Sequence, residues 1–243
     1  MTRLFAAAAL ALACCAAAAA GAPVTRVPIL EFHVIADPPA GAPNPSLYDG
    51  PETFRAQVRW LAVHGYHGVT LDELFRYWRT AGWLALPPRP IVLSFDDGYP
   101  QDVTVAMPVL RARRWRAVLN LQIGNLVPAR VRQLLAAGWE IDAHTFTHPD
   151  LTLVDDARLR REIAGSRRWI QLVFGVPVDF FAYPFGRYDA RVVAAVRRAG
   201  YLGAETQVPG SASLADGVYR LRRIEILRTD GVAGLVAKLD ASA

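Results

Sequence analysis

The chain contains only two cysteines, Cys14 and Cys15, and both lie within its first 22 residues. If this segment is removed, the remaining chain has no cysteine, which excludes disulfide bonds and thiolate metal ligands. Any metal site there must therefore be built from histidine and carboxylate side chains. Histidine is itself scarce, with 5 in 243 residues, so two histidines at close spacing are informative.

Lysine is almost absent, because Lys238 is the only one, and arginine carries nearly all of the positive charge behind the net charge of +5. The arginines cluster within residues 111–116 and 158–168. Two interpretations stay open: solvated faces of surface helices, or a surface that holds an anionic envelope or polymer. Nucleic acid is not an expected partner, because the N-terminus indicates export.

Long apolar runs are missing after residue 22, and no later stretch could span a bilayer. At the N-terminus, Arg3 precedes an uninterrupted Ala-rich run from Leu4 to Ala20. This pattern is typical of a secretory signal peptide, with a retained membrane anchor as the alternative. We expect residues 1–22 to be a signal peptide and residues 23–243 to form a single domain that is periplasmic, associated with the outer membrane or secreted.

The same N-terminal segment offers a second processing route. The sequence Ala11-Leu12-Ala13-Cys14 loosely matches a lipoprotein cleavage box. A lipid on Cys14 would attach the protein to the cell envelope.

Apolar runs that predict strands alternate with amphipathic stretches that predict helices. The predicted strands cover residues 27–34, 67–71, 91–95, 117–123, 140–143, 180–184, 201–205 and 221–227. The predicted helices cover residues 51–64, 71–81, 102–113, 129–137, 155–174, 190–199 and 231–239. Alternation of this kind predicts an α/β fold with mostly parallel strands, in the form of a barrel. Functional residues are then expected at the C-terminal ends of the strands.

The segment Ser94-Phe95-Asp96-Asp97-Gly98 ends the most apolar of these strands. Two adjacent carboxylates can converge on one point at a strand-to-loop turn, and glycine allows the backbone to turn tightly there. An acidic turn that caps the next helix is the alternative.

Two histidines stand four residues apart in His144-Thr145-Phe146-Thr147-His148, directly after another predicted strand. A single helical turn here would place both imidazoles on the same side, which suits binding of one cation. A capping histidine beside a packed core histidine is the alternative. One carboxylate and two imidazoles form a three-ligand set for a catalytic metal, and the second carboxylate stands where a general base is needed. The two motifs together predict metal-assisted hydrolysis.

These two motifs are the ones in which the chain resembles the polysaccharide deacetylases, the family-4 carbohydrate esterases. The resemblance extends over nearly the whole chain after residue 22. It implies a distorted (β/α) barrel of the NodB-homology type with about seven strands. The strand with His33 and the segment Phe181-Ala182-Tyr183-Pro184-Phe185-Gly186 are most similar to the branch that N-deacetylates poly-N-acetylglucosamine.

The resemblance implies a role for each matching residue. Asp96 would be the general base that activates the attacking water. Asp97, His144 and His148 would hold a divalent metal, zinc in the first place, with Co²⁺, Ni²⁺ or Fe²⁺ as alternatives. The backbone N–H of Phe185 would help to hold the oxyanion.

Two departures from the family pattern stand out. The third motif commonly begins with an arginine that pairs with the catalytic aspartate, and Ala182 occupies that position. Arg223 is the candidate replacement, with an ordinary arginine at the strand edge as the alternative. The usual C-terminal histidine, the general acid, is also missing, since no histidine follows His148. The resemblance to the poly-N-acetylglucosamine branch implies that His33 on the first strand takes this role, with a packed strand residue as the alternative.

The resemblance implies a metal-dependent N-deacetylase that acts on a poly-N-acetylglucosamine-like extracellular polysaccharide in biofilm formation. The alternatives are a deacetylase of peptidoglycan or chitin oligosaccharides, and a sugar-binding pseudoenzyme that aids polysaccharide secretion. The expected partners are the N-acetylated polysaccharide and polysaccharide export machinery, and the protein is expected to be a monomer.

Overall fold

A computed structural model of the chain describes residues 25–125 and 127–242. The predicted signal peptide and Cys14 lie outside these residues. The strands are β1 (Arg26–Val27), β2 (Ile29–Phe32), β3 (His67–Val69), β4 (Pro90–Asp97), β5 (Val118–Leu121), β6 (Glu140–Ala143), β7 (Phe180–Ala182), β8 (Gly203–Pro209), β9 (Ala212–Ser213) and β10 (Leu221–Glu225).

Eight α-helices accompany the strands in the described part of the chain. They are α1 (Pro51–Val63), α2 (Leu71–Arg79), α3 (Met107–Arg111), α4 (Pro128–Ala136), α5 (Asp156–Arg160), α6 (Ser166–Phe174), α7 (Ala190–Arg198) and α8 (Gly231–Asp240). A wide π-helical turn, Asp102–Ala106, leads into α3, and a second, Arg161–Gly165, joins α5 to α6. Within residues 25–125 and 127–242, no helix has both the length and the apolar character needed to cross a membrane.

Seven parallel strands close into a barrel in the order β2, β10, β8, β7, β6, β5, β4 and back to β2. Strand β3 pairs only with the first half of β4, outside this ring. The short β1 pairs with β9, which the sequence did not predict, in an antiparallel ribbon. The prediction of a parallel barrel of about seven strands is confirmed.

Alternate residues of each strand point into the barrel, and these inward side chains form two layers along the barrel axis. Near the start of the strands the layer is apolar, and helix α2 covers it with Leu71, Leu74 and Phe75. The inward residues that share this cluster are Ile29, Val92, Val118, Phe180 and Leu221. Two residues further along four of these strands the inward side chains are polar and buried: Glu31, Ser94, Asn120 and Arg223; on β7 the corresponding residue is Ala182. The fold therefore places a polar layer directly beneath the C-terminal ends of the strands.

The apolar layer should be the main stabilising contact between the barrel and α2. Phe180 is 1% exposed and its ring meets that of Phe75 edge-on, with centroids 5.4 Å apart. We expect Phe180→Ala to lower the free energy of unfolding by about 3–5 kcal/mol through loss of contact and creation of a cavity. Denaturant unfolding measures this. The control is Leu172→Ala in α6. Leu172 is 74% exposed, so the free energy of unfolding is expected to change by no more than about 0.5 kcal/mol. Equal effects of the two variants would contradict the assignment of the layer.

Candidate active site

Three potential metal ligands converge at the C-terminal ends of β4 and β6. Asp97 is the last residue of β4, and His144 directly follows β6. Asp97 Oδ1 lies 3.8 Å from His144 Nε2 and 3.9 Å from His148 Nε2, and the two nitrogens are 3.0 Å apart. Asp97 Oδ1 is buried and has no hydrogen-bond partner within residues 25–125 and 127–242. An unpaired carboxylate oxygen facing two imidazole nitrogens fits a divalent metal such as Zn²⁺ or Fe²⁺.

The prediction of a helical turn between His144 and His148 is wrong. The segment is a non-helical bend in which Thr145 and His148 have positive φ angles of 68° and 55°. The buried carboxylate of Glu162 holds the bend, because it accepts hydrogen bonds from the backbone N–H groups of Phe146 and Thr147 at 2.8 and 3.0 Å. This residue lies in the π-helical turn before α6. The two imidazoles meet because of this distant carboxylate and not because of helical spacing.

Hydrogen bonding and burial set both imidazoles for metal binding. His144 Nδ1 is hydrogen-bonded to the carbonyl oxygen of Ala182 at 2.8 Å, which leaves Nε2 without the proton and free to bind a cation. Burial and the neighbouring His144 lower the pKa of His148, although Asp97 opposes this. The neutral form that binds metal is therefore favoured.

Asp96 lies beside this cluster and is 1% exposed. Arg223 donates a hydrogen bond to Asp96 from each terminal nitrogen, from Nη1 to Oδ1 at 2.8 Å and from Nη2 to Oδ2 at 2.9 Å. Asn120 Nδ2 donates a third hydrogen bond to Oδ1 at 2.8 Å. Burial alone would raise the pKa of Asp96, but the charge and hydrogen bonds of Arg223 outweigh burial and hold it well below its usual range. Its Oδ2 is 4.0 Å from His144 Nε2, so an ionised carboxylate stands next to the three ligands.

His33 and Glu31 form the side of the site opposite the histidine bend. His33 follows β2 and is 7% exposed, and its Nε2 is 3.7 Å from Glu31 Oε1. Burial raises the pKa of Glu31 to about 7, although the charge of Arg223 opposes this. A second buried carboxylate, Glu205, accepts a hydrogen bond from Asn120 at 2.7 Å. Its pKa is also raised to about 7, because burial outweighs Arg223.

Phe185 borders the site from the turn after β7. Its backbone is left-handed, with φ 57° and ψ 17°, and its ring meets that of His148 edge-on with centroids 4.5 Å apart. The next residue must be glycine, because a Cβ on Gly186 would lie 2.6 Å from Gln207 Cβ and 2.9 Å from its backbone nitrogen. This close approach fixes the turn, and with it the Phe185 N–H, beside the histidines.

The structure thus gathers all seven residues singled out from the sequence around one end of the barrel. Sequence reasoning missed Glu31, Asn120, Glu162 and Glu205. For Glu31 and Asn120 a signal existed, since each interrupts an apolar strand, in Leu30-Glu31-Phe32 and Leu119-Asn120-Leu121. A charged or amide side chain in such a strand has to face a polar interior. For Glu162 no such signal exists, because a glutamate in a helical stretch is usually on the surface.

We expect Glu162→Leu to weaken metal binding about 10- to 100-fold, because leucine has no oxygen to accept the hydrogen bonds that hold the histidine bend. Titration of Zn²⁺ against a competing chelator measures this. The exposed Glu52→Leu is the matched control and should bind zinc as the unchanged protein does. Unaltered affinity in the Glu162 variant would show that the bend does not depend on this carboxylate.

Known proteins share this fold and this sequence pattern. Residues 85–204, which include Asp96, Asp97, His144 and His148, match the family model described as polysaccharide deacetylase. The solved Streptococcus pyogenes deacetylase PplD in complex with acetate superposes with a TM-score of 0.81, at 26% identity, over 88% of this chain and 98% of that one.

Two curated proteins are similar in sequence. YxkH of Bacillus subtilis, named as a polysaccharide deacetylase, is 27% identical over 219 residues, which is 86% of this chain and 74% of that protein. The poly-β-1,6-N-acetyl-D-glucosamine N-deacetylase of Escherichia coli is 39% identical over 64 residues, which is 26% of this chain and 9% of that protein. With the barrel and the two motifs, these findings lead to one conclusion: the chain belongs to the polysaccharide deacetylase family, hydrolases that act on amide C–N bonds.

Proposed function

We propose that the protein is a metal-dependent N-deacetylase that removes acetyl groups from N-acetylglucosamine units of an extracellular, poly-N-acetylglucosamine-like polysaccharide. The observation that carries this proposal is the pairing of two carboxylates. Asp96 is held ionised by Arg223, while the neighbouring Asp97 directs an unpaired oxygen at two imidazoles. A hydrolase needs these two functions side by side, a base and a cation site.

Asp97, His144 and His148 would hold the divalent metal, and zinc is the metal we propose. When bound, it would act as a Lewis acid on the acetyl carbonyl and make water more acidic. Asp96 takes the proton of the attacking water. Arg223 and Asn120 keep its oxygens aimed at the site, and the carboxylate is ionised and ready to accept a proton.

The remaining two roles fall to residues on either side of the base. The backbone N–H of Phe185, in the fixed turn beside His148, donates a hydrogen bond to the carbonyl oxygen as negative charge develops there. His33 gives a proton to the departing amine nitrogen, because its imidazole lies beside Glu31 and within electrostatic range of Asp96. The amide C–N bond breaks, and acetate and a free amine are released.

The substrate assignment has separate support. The Escherichia coli relative is named for β-1,6-linked poly-N-acetylglucosamine, and the N-terminal sequence is typical of an exported protein. An exported deacetylase meets polysaccharides outside the cytoplasm. We therefore place the activity in the envelope or outside the cell.

The test is acetate release from N-acetylglucosamine oligomers by the purified, zinc-loaded protein. Asp96→Asn should lower the rate about 10²- to 10⁴-fold while zinc stays bound, because it removes the base and not a ligand. A chelator should abolish the rate, and zinc should restore it. Glu52→Gln, on an 89% exposed side chain, is the control and should keep full activity.

The linkage of the oligomers separates the candidate substrates. Release of acetate from β-1,6-linked oligomers supports the proposal. Release only from chitin oligosaccharides or peptidoglycan would change the substrate assignment but not the proposed mechanism. No release from any N-acetylated glycan after zinc loading would reject the enzyme and favour a sugar-binding role.

A further inference from the structure

We propose that Glu31 is a positioning residue for deacetylation that couples His33 to Arg223, and so ties the proton donor of the leaving amine to the residue that holds the base. This inference rests on the proposed function, because it takes His33 as the general acid and Asp96 as the base.

One oxygen of Glu31 makes all of the contacts that support this role. Glu31 Oε1 accepts a hydrogen bond from Gln207 Nε2 at 2.7 Å, forms an ion pair with Arg223 Nη2 at 3.2 Å and lies 3.7 Å from His33 Nε2. The side chain is 0% exposed. Among the described residues its other oxygen, Oε2, is buried without a hydrogen-bond partner, and so is His33 Nδ1. Gln207 and Arg223 thus hold the carboxyl group at Oε1, the oxygen that lies near the imidazole.

Arg223 shows why a second carboxylate is needed on this side. Its Nε donates to the carbonyl oxygen of Thr206 at 2.9 Å, and its inner edge is bound to Asp96. The ion pair with Glu31 occupies the remaining direction of Nη2. A guanidinium held on both edges cannot rotate away from Asp96. Glu31 therefore helps to position the base through Arg223.

The charges around His33 show how the same carboxylate acts on the acid. Glu31, Asp96 and Glu225 are acidic groups near its ring, and His148 is the nearby imidazole. The Glu31 carboxyl lies 3.7 Å from His33 Nε2 in a buried setting, where the charge of one group acts strongly on the other. Burial, against the effect of Arg223, raises the pKa of Glu31 to about 7.

The proton transfers of the reaction involve Asp96 and His33. Water adds its OH to the acetyl carbon, and Asp96 takes the other proton. His33 gives its proton to the nitrogen as the C–N bond breaks, and exchange with solvent then removes the proton from Asp96 and returns one to His33. Glu31 undergoes no net change, and its carboxyl stays beside the imidazole that gives the proton.

Glu205 is the natural control for this proposal. It is a buried carboxylate near the same arginine, and its pKa is raised to about 7 by burial, against Arg223. Its hydrogen bond, however, leads through Asn120 to Asp96, on the base side of the site. A variant of Glu205 removes a buried charge beside Arg223 without removing the neighbour of His33.

The experiment compares two acetylated substrates in the zinc-loaded protein. An N-acetylglucosamine oligomer releases an amine that must be protonated, whereas 4-nitrophenyl acetate releases a stable phenolate that needs no proton. We expect Glu31→Gln to lower kcat for the oligomer about 10- to 100-fold, because it affects both acid and base, and to lower nitrophenyl acetate hydrolysis less, about three- to tenfold, because only the base matters there. His33→Ala should lower the oligomer rate and leave nitrophenyl acetate hydrolysis nearly unchanged. Glu205→Gln should affect both substrates to the same extent.

Two further variants keep the test decisive if Glu31→Gln folds poorly. Glu31→Asp keeps the charge and should restore most of the oligomer activity. Gln207 is only half-buried, and Gln207→Leu removes the hydrogen bond that it donates to Glu31. This variant should lower the oligomer rate more than the nitrophenyl acetate rate, but by less than Glu31→Gln does. Melting temperature and zinc content are measured for every variant.

Each contrary result has a distinct meaning. An equal fall on both substrates in Glu31→Gln would show that Glu31 acts on the base alone and would overturn the coupling. If Glu31→Gln loses zinc or fails to fold, and Gln207→Leu lowers both substrate rates equally, Glu31 has only a structural role. Hydrolysis of nitrophenyl acetate without acetate release from the oligomer by the unchanged protein would reject the proposed function and this inference together.

Discussion

The buried guanidinium of Arg223 is the interaction on which the rest of the site depends. It is 1% exposed, lies inside a barrel, and is surrounded by Asp96, Glu31 and Glu205. One positive charge among three carboxyl groups cannot balance all of them, so the groups differ in their protonation. Asp96, which accepts a hydrogen bond from each terminal nitrogen of the guanidinium, stays ionised, while burial raises the pKa of Glu31 and of Glu205. Removing the arginine would leave uncompensated buried charge, which typically costs about 3–5 kcal/mol.

Closure of the barrel makes this arrangement possible. Strand β10 lies between β2 and β8, so Arg223 comes from the opposite end of the sequence to Glu31 and still lies beside it. Ala182, where the family pattern commonly has an arginine, lies on β7, on the other side of β8. In this chain Arg223 supplies the guanidinium to Asp96 from β10. The carbonyl oxygen of Ala182 orients His144.

The sequence predicted the barrel because its signals are local. Each strand is a short apolar run and each helix an amphipathic one, and the strand Glu140–Ala143 was predicted with the bounds that the structure shows. Asp96, Asp97 and His144 could be found because the ends of parallel strands meet at one edge. The histidine bend could not be predicted, since its positive φ angles depend on Glu162, which is distant along the chain. The contacts of Arg223 and Glu31 follow from strand order, which periodicity alone does not determine.

The two interior layers explain why the site can hold so much charge in a small domain. The apolar layer, with α2 beneath it, provides ordinary core packing, so the polar layer above does not have to contribute stability. Its side chains are free to be chosen for charge, provided that each is hydrogen-bonded. The atoms left unpaired there include Asp97 Oδ1, Glu31 Oε2 and His33 Nδ1, and they lie where a cation and a transferable proton are needed. Unpaired polar atoms beside a cation site and a proton donor are what a catalytic site requires and what a purely structural network would avoid.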